Sequence, residues 1–320
     1  MSDTFLRKIA NSKDAYPVLA LGCWAFGGDH WGGQDDADSI DAMQKAWDLG
    51  LRHWDTAVGY GNGRSERLCG EFLRHGKRDE IFLATKANVN RKPEKLINTL
   101  YHSLENLQTD HIDLYYLHWP RCGLDMRPCM EALEKEREKG TIGQIGVSNF
   151  SIEQMQQLSQ VGTIDVHQLG YSLYWRVPEK ELIPYCVKHD IAVVTYSSIA
   201  QGILTGKFPQ TPTFPKGDIR PETVFFQKDV WPHLYAATEK LKVLAVKHQR
   251  PLQHLAIQWA ARQPGISSVI VGARNGQQVQ ENVVALKDPI PNEDLDAMTA
   301  ISNEAMVHYP KEQNIFKYYP

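Results

Sequence analysis

Asp55, Tyr60, Lys86 and His118 are the residues whose types could together carry proton chemistry. A tyrosine with an ordinary pKa near ~10 is a poor acid or base at neutral pH. A lysine ammonium close by stabilises the phenolate and lowers that pKa, and an aspartate holds the lysine charged and positioned. A histidine can then orient an incoming carbonyl oxygen. This set suits protonation of a carbonyl oxygen while something else delivers hydride. Each residue alone has a plainer explanation. A strand-end aspartate caps a loop, a strand-end lysine is solvated, a histidine beside an apolar run is a core residue, and a tyrosine in a Gly-rich loop is an anchor. Together the plain explanations weaken, because titratable groups gathered at one mouth must neutralise one another.

Other chemistries lack their motifs. The sequence has no GxxxxGK[ST], HExxH, GxSxG or CxxC. GYGNGRS (59–65) is not spaced as GxGxxG and does not follow the first strand of a βαβ unit, so a doubly wound dinucleotide site is unsupported. His111 and His118 lie near each other in sequence without a matching acid, a poor metal pattern. A Schiff-base role for Lys86 is a separate possibility in a barrel enzyme, but Asp55 would keep that lysine charged.

The elements that must position these side chains repeat along the chain. Apolar β-rich runs occur at LALGCW (19–24), HWDTAV (53–58), IFLATK (81–86) and IDLYYLH (112–118). IGQIGVSN (142–149), DVHQLGY (165–171), IAVVTYS (191–197) and SSVIVGA (267–273) complete the set. Such runs read as strands buried on both faces. Between them lie segments of helical period, including 39–50, 92–107 and 129–140. The period of about 25 to 30 residues is that of a strand–helix unit. Eight units predict a single (β/α)8 TIM barrel domain over 1–320, with long loops at the face where the strands end. The last residues of the strands, Trp24, Asp55, Lys86, His118, Asn149, Tyr171 and Tyr196, fall on that face. Three stretches depart from the repeat. Residues 1–18 precede the first strand and suit a small lid over the barrel's bottom. Residues 200–229, with four prolines and interleaved aromatics, follow the seventh strand. Residues 287–320 follow the eighth helix. Of these, 200–229 is the better functional candidate, since loops after strands cover the active face.

Composition narrows the class. The chain has 320 residues, 42% of them hydrophobic, with 35 basic against 38 acidic residues and a net charge of -3. Nothing in that balance favours nucleic acid. No apolar run reaches the ~18 residues of a membrane span, and the first residues lack a signal-peptide stretch, which predicts a cytoplasmic protein. Cys23, Cys69, Cys122, Cys129 and Cys186 are scattered and read as reduced packing residues.

These residues and segments resemble the aldo-keto reductases, in the bacterial branch near the potassium-channel β subunits. LGCWAFGG (21–28), DTAVGYGNGRSE (55–66), ATK (84–86), IDLYYLHWP (112–120), IGQIGVSNF (142–150), YSSIAQGILTGK (196–207) and GARNGQQVQEN (272–282) carry the resemblance over nearly the whole chain. It implies that Tyr60 is the general acid in reduction, that Asp55 and Lys86 tune it and that His118 orients the carbonyl. It further implies that Ser148, Asn149 and Gln168 grip the nicotinamide carboxamide and that Tyr196 stacks on its ring, with Trp24 beside them. Ser197, Ser198, Ile199, Ala200, Gln201, Leu204 and Lys207 match the pyrophosphate loop. Gly272, Arg274, Gln278, Glu281 and Asn282 match the adenosine end. The chain departs from many members at Ser198, where they have proline, and at Gln278, where they have an arginine for the 2′-phosphate. Arg274 and Lys207 are the cations left for that phosphate, so NADP(H) is favoured over NAD(H). Trp24, His30, Trp31, Tyr60, His118 and Trp119, with Tyr174, would line a substrate pocket suited to aryl aldehydes or sugars. The expected function is reduction of aldehydes, ketones or sugar-derived carbonyls. The alternatives are an NAD(P)-dependent pyranose dehydrogenase and a cofactor-bound regulatory subunit. No motif sets the physiological substrate, the favoured direction or the oligomeric state.

Overall fold

The computed structural model describes residues 5–310 and 314–316. Its centre is a closed barrel of parallel strands. In chain order these are β3 (Leu19–Gly22), β4 (His53–Asp55), β5 (Phe82–Ala87), β6 (Ile112–Leu117), β7 (Ile142–Ser148), β8 (Val166–Gly170), β9 (Ala192–Tyr196) and β10 (Ile266–Gly272). Neighbours in sequence are neighbours in the sheet, and β10 closes on β3 with Gly272 opposite Gly22. The eight expected strands are all present, seven with both ends within two residues of the sequence reading, while β4 stops three residues before the expected end at 58.

Helices α1 (Asp36–Asp48), α2 (Arg64–Leu73), α3 (Pro93–Leu107), α4 (Arg127–Glu138), α5 (Ile152–Leu158), α6 (Leu182–Lys188), α7 (Trp231–Lys247), α8 (Leu252–Ala261), α9 (Gly276–Val284) and α10 (Asn292–Met306) surround the barrel. Local chemistry starts several of them. Asp35 accepts the Ala37 amide at 2.8 Å, and Ser151 with Gln154 forms a capping box on α5. The apolar stripes of these helices meet the outer strand faces in one large buried cluster that includes Trp54, Leu117 and Trp259.

A second cluster fills the lower barrel: Ala20, Phe82, Leu114, Tyr116, Val166, Ala192 and Ile270. The hairpin of β1 (Leu6–Lys8) and β2 (Ala15–Pro17) closes that end. Ile9 is buried there, its carbonyl accepts from Gln144 Nε2 at 3.1 Å, and Tyr16 packs on Phe82 with ring centroids 5.3 Å apart. The expected lid thus exists over residues 5–17, while 1–4 lie outside the described residues. Tyr116 fits inside only because its ring lies on Gly146, where a Cβ would sit 2.3 Å from the ring. With the bottom packed, the open end is the face where the strands finish.

Candidate active site

β4 and β5 end side by side, with Asp55 opposite Ala84, so that Asp55 and Lys86 meet inside the barrel. Lys86 Nζ donates to Asp55 Oδ1 at 2.5 Å and to the Thr56 carbonyl at 2.6 Å, and both side chains are buried. Gln168, from β8, donates its amide to the other oxygen, Asp55 Oδ2, at 2.8 Å. Every charged atom of the pair is therefore hydrogen-bonded, as a buried pair requires.

Tyr60 hangs over this pair on the loop between β4 and α2. The loop is fixed by Gly61, whose positive φ and contact with the Gly27 carbonyl leave no room for a Cβ. Lys86 Nζ lies 5.3 Å from the Tyr60 ring centroid. His118 meets the same ring edge-on, with centroids 6.0 Å apart, and Trp24 stacks on it at 5.8 Å. The four residues expected to act together are thus neighbours at one mouth.

The electrostatics differ from the sequence expectation. Burial, and then repulsion from Asp55, push the Tyr60 phenol well above its ordinary range rather than below it. Lys86 does not reverse this because its charge is committed to Asp55. Burial pulls Lys86 down, and Asp55 opposes that. Burial, followed by the Lys86 charge, pushes His118 down to about 3. At neutral pH the site therefore offers a neutral phenol and a neutral imidazole, both able to donate a hydrogen bond to a carbonyl oxygen.

A cleft of about 1160 Å³ runs from this mouth across the ends of β7 to β10. That exceeds the usual size of a small-molecule pocket and leaves room for a dinucleotide with a substrate. Ser148, Asn149, Gln168 and Tyr196 line it next to the mouth. Asn149 adopts a left-handed conformation, its Oδ1 accepts the Tyr196 hydroxyl at 2.6 Å, and its Nδ2 donates to the His118 carbonyl at 3.3 Å. Ser197, Ser198, Ile199, Gln201 and Lys207 line the middle. Gly272, Arg274, Gln278, Glu281 and Asn282 line the far end, beside the start of α9.

Four expected residues are not in the lining. Lys86 lies beneath it. Ala200 and Leu204 are fully buried in the apolar core, because the loop turns through left-handed conformations at Ser197, Ala200 and Gln201 and breaks any regular alternation of side chains. Ser198, in place of proline, donates its hydroxyl to the Ile270 carbonyl at 3.0 Å and ties this loop to β10. Tyr174 is also away from the pocket: it is buried, and its hydroxyl pairs with Thr238 Oγ1 at 2.8 Å.

Trp24, His30, Trp31 and Trp119 line the mouth. The loop of the first three is clamped over the cleft: Ile219 donates its amide to the His30 carbonyl at 3.0 Å, and Arg274 binds the Gly33 carbonyl and Gln34 Oε1. The 200–229 segment thus does cover the cleft, through Phe208, Ile219, Arg220 and Glu222. The sequence reading overlooked Asn88 and Phe316. Asn88 could have been found, since it follows Lys86 by two and strand alternation puts it on the same side. Phe316 comes from the tail, and its ring packs on Trp24, Trp119 and Tyr196 with centroids 5.8, 6.3 and 6.1 Å away. Two polar atoms in the lining residues are buried without a partner, Trp31 Nε1 at the mouth and Gln201 Oε1 in the middle, as fits groups that a ligand satisfies.

A barrel with this mouth and cleft defines an oxidoreductase class, and the comparisons with known proteins agree. The aldo/keto reductase family model matches residues 18–303, and the chain belongs to that family, whose members interconvert carbonyls and alcohols. It is 36% identical to the aldo-keto reductase YhdN of Bacillus subtilis over 82% of each chain. It is 30% identical to the NADH-specific methylglyoxal reductase of Escherichia coli, covering 88% of this chain and 93% of that one. A probable voltage-gated potassium channel subunit beta of Arabidopsis thaliana is 29% identical, with 86% and 88% covered. Among solved structures, the glycerol dehydrogenase of Gluconobacter oxydans superposes with a TM-score of 0.87 at 30% identity, covering 97% and 98%. An aldo/keto reductase of Klebsiella pneumoniae in complex with NADP and acetate gives 0.76 at 26% identity, covering 97% and 98%.

Proposed function

We propose that the chain is a single-domain, cytoplasmic carbonyl reductase in which Tyr60 is the proton donor. The observation that carries this reading is the convergence of Tyr60 and His118 over the buried Lys86–Asp55 pair, where burial favours the neutral phenol and imidazole. His118 donates to the substrate's carbonyl oxygen and polarises it. As negative charge grows on that oxygen, Tyr60 gives it the hydroxyl proton, and the nearby Lys86 ammonium stabilises the phenolate left behind. A nicotinamide dinucleotide, when bound, supplies the hydride to the carbonyl carbon.

Ser148, Asn149, Gln168 and Tyr196 would hold the nicotinamide end, the Ser197–Lys207 loop the pyrophosphate, and Gly272, Arg274, Gln278, Glu281 and Asn282 the adenosine. Arg274 at the adenosine end and Lys207 on the pyrophosphate loop give the cleft two cations, which supports NADP(H), as does the NADP complex of the Klebsiella relative. NAD(H) is the second choice, in view of the NADH-specific Escherichia relative. The aromatic mouth, with Trp24, Trp31, Trp119 and Phe316, suits aldehydes with a flat or C–H-rich face, including aryl aldehydes and sugar-derived carbonyls. The methylglyoxal reductase and glycerol dehydrogenase relatives add short α-oxygenated substrates, and the latter adds the oxidative direction.

The test is dinucleotide oxidation with NADPH and NADH over aryl aldehydes, short aldehydes, α-dicarbonyls and aldoses, with Tyr60→Phe beside the wild type. Turnover should fall about 10²–10⁴-fold in the variant while dinucleotide binding persists. A variant with wild-type rates rejects the role of Tyr60. Silence of the wild type with both dinucleotides, despite tight binding, favours a regulatory subunit.

A further inference from the structure

Glu66 is fully buried, in the first turn of α2, six residues after Tyr60. It accepts a hydrogen bond from Thr85 Oγ1 at 2.7 Å and from Asn106 Nδ2 at 2.9 Å. Among the described residues no lysine, arginine or histidine lies within ion-pair distance of it. An amide side chain would keep one of these donors on its oxygen and meet the other once Thr85 accepts instead of donating or the Asn106 amide turns over, without the cost of burying a carboxylate. A charge kept there without a contact cation calls for a use. The nearest one is Lys86, next to Thr85 on β5. Strand alternation sends Lys86 into the barrel to Asp55 and Thr85 out to Glu66, so the two carboxylates stand on opposite sides of the same strand.

We propose that Glu66 is a positioning residue for the carbonyl reaction, a second buried carboxylate behind β5 that keeps Lys86 an ammonium beside Tyr60. This rests on the roles given above to Tyr60 and Lys86. Burial pulls the lysine toward its neutral form, and Asp55, then Cys23 and Glu66, oppose it. The other titratable groups facing Lys86 do not compete in the alkaline range. Cys23, Tyr60 and Tyr116 are pushed well above their ordinary values by burial, and His53 and His118 are pushed down to about 3. The proposal therefore assigns the alkaline limb of the reaction to Lys86, which lies beneath the Tyr60 ring in contact with Asp55.

The test is the pH profile of kcat/KM for NADPH-dependent reduction of a turned-over aldehyde, compared among wild type, Glu66→Gln, Glu66→Asp and Thr85→Val. Glu66→Gln should move the alkaline limb down by about one pH unit, the effect of losing one nearby charge in a buried site. Glu66→Asp should restore it, and Thr85→Val, which removes the hydrogen bond but keeps the charge, should leave it in place. A limb that stays put in a folded Glu66→Gln variant overturns the proposal. So does one that moves equally in Thr85→Val, which would mark a purely structural contact. If Glu66→Gln does not fold, nitrogen NMR of the Lys86 Nζ in lysine-labelled wild-type and Thr85→Val protein decides. The proposal expects an ammonium through about pH 9 in both, and is overturned by loss of that proton nearer neutrality. An active Tyr60→Phe would reject the assigned catalytic roles instead, so the two failures are separable.

Discussion

Gln168 and Lys86 share the Asp55 carboxylate, the amide taking Oδ2 at 2.8 Å and the ammonium Oδ1 at 2.5 Å. One carboxylate thus links the lysine behind Tyr60 to a residue in the lining of the dinucleotide cleft. Asp55→Asn would leave Lys86 buried without its contact anion. The expected cost is about 3–5 kcal/mol of stability, the usual result of orphaning one member of a buried pair. Turnover should fall by about two orders of magnitude or more. Denaturant titration together with kcat checks both, and unchanged stability would mean that Lys86 is neutral in the native protein.

Acid should destabilise the fold well before its carboxylates protonate. Burial pushes His53 down to about 3 and His167 down to about 4 from 6.5. Above pH 6.5 both states are neutral at these sites. Below it the unfolded chain takes up protons that the folded chain refuses, so stability falls as pH falls. Each histidine costs about 1.4 kcal/mol per pH unit, or about 4 kcal/mol for the two at pH 5. Thermal melts from pH 7 to 5 should show a steady decline, and His167→Asn should flatten it. A level Tm over that range would contradict the burial of neutral imidazoles.

Phe316 walls the mouth with three ring contacts. Phe316→Ala should raise KM for an aryl aldehyde about tenfold with kcat little changed, the signature of lost uniform binding. Steady-state kinetics on aryl and short aldehydes decide the point. Equal KM values in variant and wild type would remove Phe316 from the pocket.

Arg274 joins the adenosine end of the cleft to the loop that carries Trp31. Its guanidinium binds Gly33 and Gln34, and Gln34 Nε2 returns a bond to the Arg274 carbonyl at 2.7 Å. Arg274→Ala should weaken NADPH binding about tenfold, NADH binding less, and raise the aldehyde KM with either. Fluorescence titration and kinetics together read this out. Loss of NADPH affinity with no change in substrate KM would leave the arginine a phosphate contact only.

Much of this was legible in the sequence because barrel strands are apolar runs that end in a polar residue. Asp55, Lys86 and Asn149 could be placed on one face from their positions at the ends of strands, before any contact was known. The loop after β9 resisted the same reasoning. Its left-handed residues remove the period on which alternation depends, so Ala200 and Leu204 look like lining residues and are core. Glu66 was hidden for another reason: within DTAVGYGNGRSE it reads as an ordinary solvated helix residue, and only packing against Thr85 and Asn106 reveals it as buried. The direction of the Tyr60 shift was missed because proximity of Lys86 was weighed without the depth of burial. Phe316 was out of reach, since nothing local says that a tail folds back over a mouth built near residue 24.

The hairpin at the barrel's bottom and the ring of Phe316 at its mouth place two far-separated parts of the chain at opposite poles. A tether attached at the hairpin would leave from the plugged pole, far from the chemistry. One attached beside Phe316 would stand at the doorway through which substrates pass. Immobilisation, display and tethering of this enzyme should therefore use the hairpin pole.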